Sequence, residues 1–432
     1  MERMLGSLWL FELKRMNGYG LLMVFLMLPC SVLVHAQKAD LHDSTSLGLV
    51  IPKTDLKESI LQTAREKLVS DEFLGSWPMF GTDLRMKVGG YIKSDFLYDF
   101  DGTTDRSQFL MSTIPVEGEP SYGNEGYTYF LVKETRVSID VRRFADDRIP
   151  LQLFVEGDFF TDANQFRIRH AYITAGDFII GQTWTTLSFL ESMAFMIDFA
   201  AGDALFGGRS VQVRYQKQLS DKMKVAAGLE YLGALGIENS SGLEGQANLR
   251  LPLLALRMDY RWKTGVMFLG SSLAEIRWDG TSNGPHDQVL QIDFVIAGRQ
   301  YIGENNYFTY NVSYGNASGE NIIAFAGSEA NAVLTPDGKL EPIRATSIMT
   351  GFMHRWTDGW ESNFNYAYGW LDAPASRAPY ALKRGGIGHL NLIRHFDRNF
   401  SIGAEYIWGA QRTSNDAFGN ARRLQFMAKF EF

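Results

Sequence analysis

The chain has 432 residues with 42 basic against 49 acidic side chains, and a formal charge of −7 excludes a nucleic-acid binder acting through its global field. It holds 30 Phe, 18 Tyr, 9 Trp and 42 Gly but only 12 Pro, with a slightly negative mean hydropathy. That balance is too polar for a bundle of membrane helices and too aromatic for a disordered chain.

The first element is a targeting segment. Residues 20–34, GLLMVFLMLPCSVLV, form an apolar run behind Lys14 and Arg15, and Val34, His35 and Ala36 make a small-residue cleavage site before Gln37. The run falls short of the roughly 20 apolar residues that span a bilayer, and Pro29 interrupts it. It reads as a signal peptide over 1–36. The single cysteine, Cys30, lies inside it, so the mature chain is expected to carry no thiol, which excludes disulfides, cysteine nucleophiles and zinc-thiolate sites. No second long apolar run follows, so a membrane location requires strands.

Residues 37–85 are expected to form a periplasmic segment. Within it, Leu56, Ile60, Ala64 and Leu68 recur at helical spacing among charges, with Thr54 or Asp55 as cap, and predict one amphipathic helix over 53–69. Its apolar stripe would pack on the body of the protein or, if longer, form a stalk between protomers.

From Met86 to Phe432 the pattern is strand and turn. The expected strands are 86–98, 129–143, 150–160, 164–174, 177–184, 209–218, 222–232, 253–262, 265–278, 288–300, 305–316, 343–356, 359–372, 385–396, 398–412 and 421–432, sixteen in all. Their connections alternate. Those near 175–177, 220–221, 263–265, 357–359 and 397–399 are tight, whereas 99–128, 185–208, 233–252, 317–342 and 373–384 are long, polar and Gly-rich. Short turns on one side and long loops on the other, with an even strand count, describe an all-β transmembrane antiparallel barrel with both ends in the periplasm. A soluble sandwich has no reason to sort its turns.

Strand faces point the same way. In 359–372, Trp360, Phe364, Tyr366, Tyr368 and Trp370 share one face, and Glu361, Asn363, Asn365, Ala367 and Gly369 share the other. Across the turn at 357–359, Trp356 is expected opposite Trp360, and Arg355 opposite Glu361. In 423–432, Leu424, Phe426, Ala428, Phe430 and Phe432 alternate with Arg423, Gln425, Lys429 and Glu431, broken only by Met427. This last strand is expected to close on the one that starts near Met86.

Register gives the lumen. A hairpin closing at 161–164 pairs Asp158 with Arg167 and Glu156 with Arg169 on the water side, and by parity Arg136, Arg142, Arg214, Arg257, Arg261 and Arg299 share that side. These arginines either brace the wall against the acids or keep donors for a passing carboxylate. Residues 185–208, TTLSFLESMAFMIDFAAGDALFGG, are too apolar for a solvated loop. They are expected to fold into the barrel with Glu191, Asp198 and Asp203 facing the opening, opposite arginines such as Arg214; a trimer-contact or lid loop is the other reading. The resulting picture is a weakly anion-preferring pore.

Other constellations are sparse. Asp99, Asp101 and Asp105 do not complete the oxygen cage that calcium takes, and read as a solvated acidic loop. The histidines are scattered, no nucleophile constellation is visible, and neither a metal nor a cofactor is expected. A barrel hydrolase would have to build on His170 or His354, lipid-facing by parity; a structural or adhesin barrel is the other rival.

LFVEGDFF (153–160), FRIRHAYI (166–173), GQTW (181–184), WTDGWESNFN (356–365) and IGAEYIWGAQR (402–412) resemble, in this order, the DcaP-like outer-membrane porins. The resemblance implies a homotrimer of sixteen-stranded diffusion channels in the outer membrane of a Gram-negative bacterium, taking up dicarboxylates and other small anions. The chain departs from the family at GQTWTTLSFLES and has a shorter periplasmic helix, which bears on substrate preference and on the stalk.

Overall fold

The computed structural model describes residues 72–79, 82–144, 148–200, 202–231, 233, 235–281 and 284–432. The signal segment and the helix expected over 53–69 lie outside the described residues.

Sixteen staves follow in chain order. They are β1 (Leu84–Asp99), β2 (Tyr127–Leu131 and Arg136–Arg143), β3 (Leu151–Asp158), β4 (Arg167–Ala175), β5 (Phe178–Trp184), β6 (Arg209–Ser220), β7 (Met223–Glu230), β8 (Gly245–Leu249 and Leu253–Trp262), β9 (Gly265–Gly280), β10 (His286–Ile302), β11 (Asn306–Asn316), β12 (Arg344–Thr357), β13 (Trp360–Asp372), β14 (Leu382–His395), β15 (Phe400–Thr413) and β16 (Phe418–Glu431). Each pairs antiparallel with the next, and β16 pairs back onto β1 from Arg423 opposite Asp99 to Glu431 opposite Tyr91. The sheet is a closed barrel. Closure removes the two edges that an open sheet would expose, which in hydrocarbon would leave backbone donors unsatisfied.

Alternation decides the faces. In β13, Asn363, Asn365, Ala367 and Gly369 are buried toward the interior, while Trp360 and Trp370 stand exposed on the outside. In β16, Phe426 and Phe430 point out, and Arg423, Gln425 and Met427 point in. Tight turns lie at the end of the barrel where β1 begins and β16 ends. Gly176 makes one of them, between β4 and β5, at φ +57°, in the left-handed region that a side chain disfavours.

The strands depart from simple alternation in four places. First, the stretch expected as one strand over 129–143 is interrupted at 132–135, where the Thr135 hydroxyl accepts from Lys93 N at 3.2 Å in place of a ladder carbonyl. Second, β8 begins at Gly245 within the expected loop 233–252 and breaks before Pro252, which has no N–H for the ladder. Third, Arg355 is opposite Glu361, but a bulge then sets Thr357, not Trp356, opposite Trp360, and Trp356 donates instead to the Ser362 hydroxyl at 2.9 Å. Fourth, in β4, Asp158 is opposite Arg167 but Glu156 is opposite His170, so Arg169 is the extra residue of a bulge. The bulge turns His170 inward rather than to lipid, where it meets the Thr183 hydroxyl at 3.0 Å. His354 keeps its outward place beside Trp356.

The long connections expected to be polar carry apolar residues into the interior. Phe109, Met111 and Ile114 from 100–126, Leu187, Phe189 and Phe206 from 185–208, and Ile322 and Phe325 from 317–343 share one apolar core with inward residues of β8 to β16, such as Phe268, Ala345 and Ile407. Burying such side chains stabilises by about 1.5–3 kcal/mol each. A small sheet closes over this half, with Ile237–Glu238 parallel to Ala332–Leu334, which pairs antiparallel with Leu340–Pro342.

Candidate pore and its constriction

A charged part of the interior lies against β1 to β4. Its centre is a ladder of arginines and acids on β2, β3 and β4. Asp158 is fully buried and takes Arg167 at 2.8 Å and Arg169 at 2.7 Å. Arg169 also reaches Glu156 at 3.2 Å, and Arg136 lies 3.9 Å from Glu156 and 3.6 Å from Glu134. Glu134 projects inward from the interruption in β2, where it binds the Lys93 ammonium, which sits 3.4 Å from Asp95. Four bases thus meet four acids. Arg169 is buried at 4% exposure, whereas Arg136 at 24% and Arg167 at 36% keep donors toward open water.

Residues 185–208 cross the interior and meet this ladder through Phe199. Its ring stacks on Phe160 with centroids 3.6 Å apart, Arg167 lies over both rings at 5.7 Å, and Arg169 lies over Phe199 at 5.6 Å. Aromatic stacking and cation–π contact together fix the segment against the charged wall.

The acids of this segment are anchors. Asp198 and Asp203, 3% and 2% exposed, do not face the opening. Asp198 accepts from Phe109 N at 3.2 Å and from Ala200 N at 3.0 Å, and burial pushes its carboxyl up to about 7 despite Arg423 and His389 nearby. Asp203 meets His389 Nε2 at 3.4 Å. The other ring nitrogen of His389 lies 3.2 Å from Glu405, which accepts from the backbone of Ile197 at 2.8 Å and of Asp198 at 3.0 Å. A buried backbone donor needs an acceptor, and short acidic side chains inside the segment fold back to serve its own chain and its neighbours. Nothing local in the sequence marks Glu405 or His389, each a strand residue, as the partner of a loop some 200 positions away.

Arg214 does not oppose these acids. It is buried, donates to Gln212 Oε1 at 2.8 Å and to the Trp184 carbonyl, and has no exposed donor row. Arg257 pairs with Asp259 at 2.8 Å and donates to the carbonyls of Thr186 at 3.1 Å and Ser188 at 3.2 Å, holding the start of the segment. Glu191 does reach an arginine, Arg261 at 2.8 Å, and Arg299 donates to the carbonyls of Glu191 at 2.9 Å and Met193 at 3.3 Å. Arg142 pairs with Asp140 at 2.7 Å.

The acidic loop 99–105 is also occupied, by arginines. Asp99 binds Arg423, Asp101 binds Arg422 and Asp105 accepts from Ser107 N at 2.7 Å, so these carboxylates are committed to the protein rather than solvated. No group of three or more potential metal ligands occurs among the described residues.

The outer membrane channel DcaP of Acinetobacter baumannii superposes with a TM-score of 0.71 at 19% identity, over 81% of this chain and 97% of that one. OmpT of Vibrio cholerae matches at TM-score 0.51 and 14% identity, over 82% and 99% of the two chains. An anion-selective porin from Comamonas acidovorans matches at 0.53 and 9%, over 81% and 100%. No curated protein matches the chain. The family model described as DcaP outer membrane protein covers residues 63–432. This chain therefore belongs to the DcaP outer membrane protein family and is a channel-type barrel of the outer membrane.

Proposed function

We propose that the protein is a passive diffusion channel for small hydrophilic solutes that favours small carboxylates, dicarboxylates among them, and that it works as a homotrimer. The observation that carries the anion preference is the exposure difference on the ladder. Asp95 and Asp158 are spent on buried pairs, and Arg136 at 24% and Arg167 at 36% are more exposed than Glu134 at 14% and Glu156 at 18%, with Arg167 beside Phe199. At physiological salt, fields fade beyond about 8 Å, so a solute feels these arginines more than the net negative chain. A guanidinium fork matches a carboxylate in two hydrogen bonds. The anion preference is weak, since each exposed arginine already has a carboxylate within 4 Å.

The homotrimer reading draws on the long apolar outer face and on OmpT of Vibrio cholerae, which has been solved in a trimer form. Family and neighbours are channel and porin proteins, which favours transport over hydrolysis.

Single-channel recording of the purified protein under a salt gradient tests the reading. A zero-current potential of the sign given by anion flow, and block by succinate-like dianions, is the expected result; strong cation selectivity overturns it.

A further inference from the structure

The outer ends of β14 and β15 carry two arginines that the pore does not use. Arg384 and Arg412 stand directly opposite each other in register. Both are on the lipid side. Arg384 shares its face of β14 with Leu390 and Leu392, and Arg412 shares its face of β15 with Ile402 and Tyr406. Like charges directly opposite on a sheet destabilise it, and the low dielectric beside hydrocarbon sharpens the repulsion.

Among the described residues, the other bases along this rim of β12 to β16 have a carboxylate. Arg344 has Asp372 at 3.5 Å, Lys383 has Asp416 at 3.3 Å, and Arg422 has Asp101 at 3.0 Å. The central pair has none. Arg412 donates to the Asp416 carbonyl at 3.1 Å and lies over the Phe418 ring at 4.8 Å, and the Nε of Arg384 is buried without a hydrogen-bond partner. In register, Trp370 flanks Arg384 on β13 and Phe418 flanks Arg412 on β16, so the row across four strands reads Trp370, Arg384, Arg412, Phe418.

Aromatic rings at the ends of such a row suit the headgroup boundary, and two adjacent guanidinium forks suit a tetrahedral oxyanion. We propose that Arg384 and Arg412 bind a phosphate group of an anionic glycolipid in the outer leaflet. The phosphate neutralises the pair, while the acyl chains run down the apolar face past Leu390, Leu392 and Tyr406. The proposal is independent of what passes through the lumen.

The test uses full-length protein, purified and delipidated in detergent, and native mass spectrometry with three probes: lipid A with both phosphates, dephosphorylated lipid A, and inorganic phosphate. The wild type is expected to retain phosphorylated lipid A. The double change Arg384→Gln with Arg412→Gln should weaken retention by about a hundredfold or more, the loss expected from removing two charge-assisted hydrogen bonds. The single change Arg384→Gln should weaken it in the same direction, and Lys383→Gln, whose base is already paired, should leave it unchanged. Heat-dependent migration of the variants reports that the barrel is intact. Wild-type retention by the double variant, equal retention of dephosphorylated lipid A, an equal loss in Lys383→Gln, saturation by inorganic phosphate alone, or dissociation of an oligomer by the double change would each overturn the proposal.

Discussion

Arg423 and Asp99, both fully buried, face each other in register and pair at 3.1 Å where the last strand of the barrel closes on the first. The same guanidinium donates to the Thr103 hydroxyl at 2.7 Å, the Asp105 carbonyl at 2.8 Å and the Tyr127 hydroxyl at 3.0 Å. One side chain therefore fastens both the seam and the loop 100–126 that leads into the interior core.

Breaking this pair leaves a buried charge without its partner. Arg423→Leu or Asp99→Ala is expected to cost about 3–5 kcal/mol, while the exposed neighbour pair of Arg422 and Asp101 contributes about 1 kcal/mol or less. Thermal unfolding in detergent, followed by heat-dependent migration, checks both: Arg422→Ala should melt near wild type, and Arg423→Leu many degrees below it.

Glu405 holds the crossing segment by two backbone donors. Removing it as Glu405→Ala orphans both, at about 1–3 kcal/mol each, and frees the segment to leave the interior. Single-channel traces should show higher and noisier conductance than wild type. Unchanged conductance would mean that Arg257, Arg299 and the apolar core hold the segment without Glu405.

Selectivity separates exposed arginines from buried ones. Arg136→Ala and Arg167→Ala should shift the zero-current potential toward cations under a salt gradient. Arg214→Ala should leave it in place, because Arg214 is buried against Gln212 and Trp184 and presents nothing to the passage. A shift in Arg214→Ala as large as that in Arg167→Ala would contradict this account of the lumen.

Phe199 is the contact between segment and ladder. Phe199→Ala should lower stability by about 0.5–1.5 kcal/mol through the lost stack on Phe160. It should also raise conductance, with selectivity still set by Arg167. Paired measurements of melting and current resolve the two effects.

The sequence by itself determined the wall. Period-two alternation and turn length are local properties, so WESNFN around Glu361 declares its inner and outer faces without reference to any other strand, and tight turns such as 263–264 fix neighbours and closure. A pairing as short-ranged as Asp158 with Arg167 is legible for the same reason. Tertiary structure decided the rest. A single extra residue at Arg169 turns His170 from lipid to lumen, and no side-chain pattern announces it. Loops that read as long connections supply half of the interior core, because their apolar residues find partners only across the barrel. Asp198, Asp203 and Arg214 carry charge at positions that parity or composition assigned to the passage, yet each is drawn into a buried hydrogen-bond network by donors and acceptors far away in sequence. Which charges face water depends on the desolvation of every neighbour at once, and only the folded barrel brings those neighbours together.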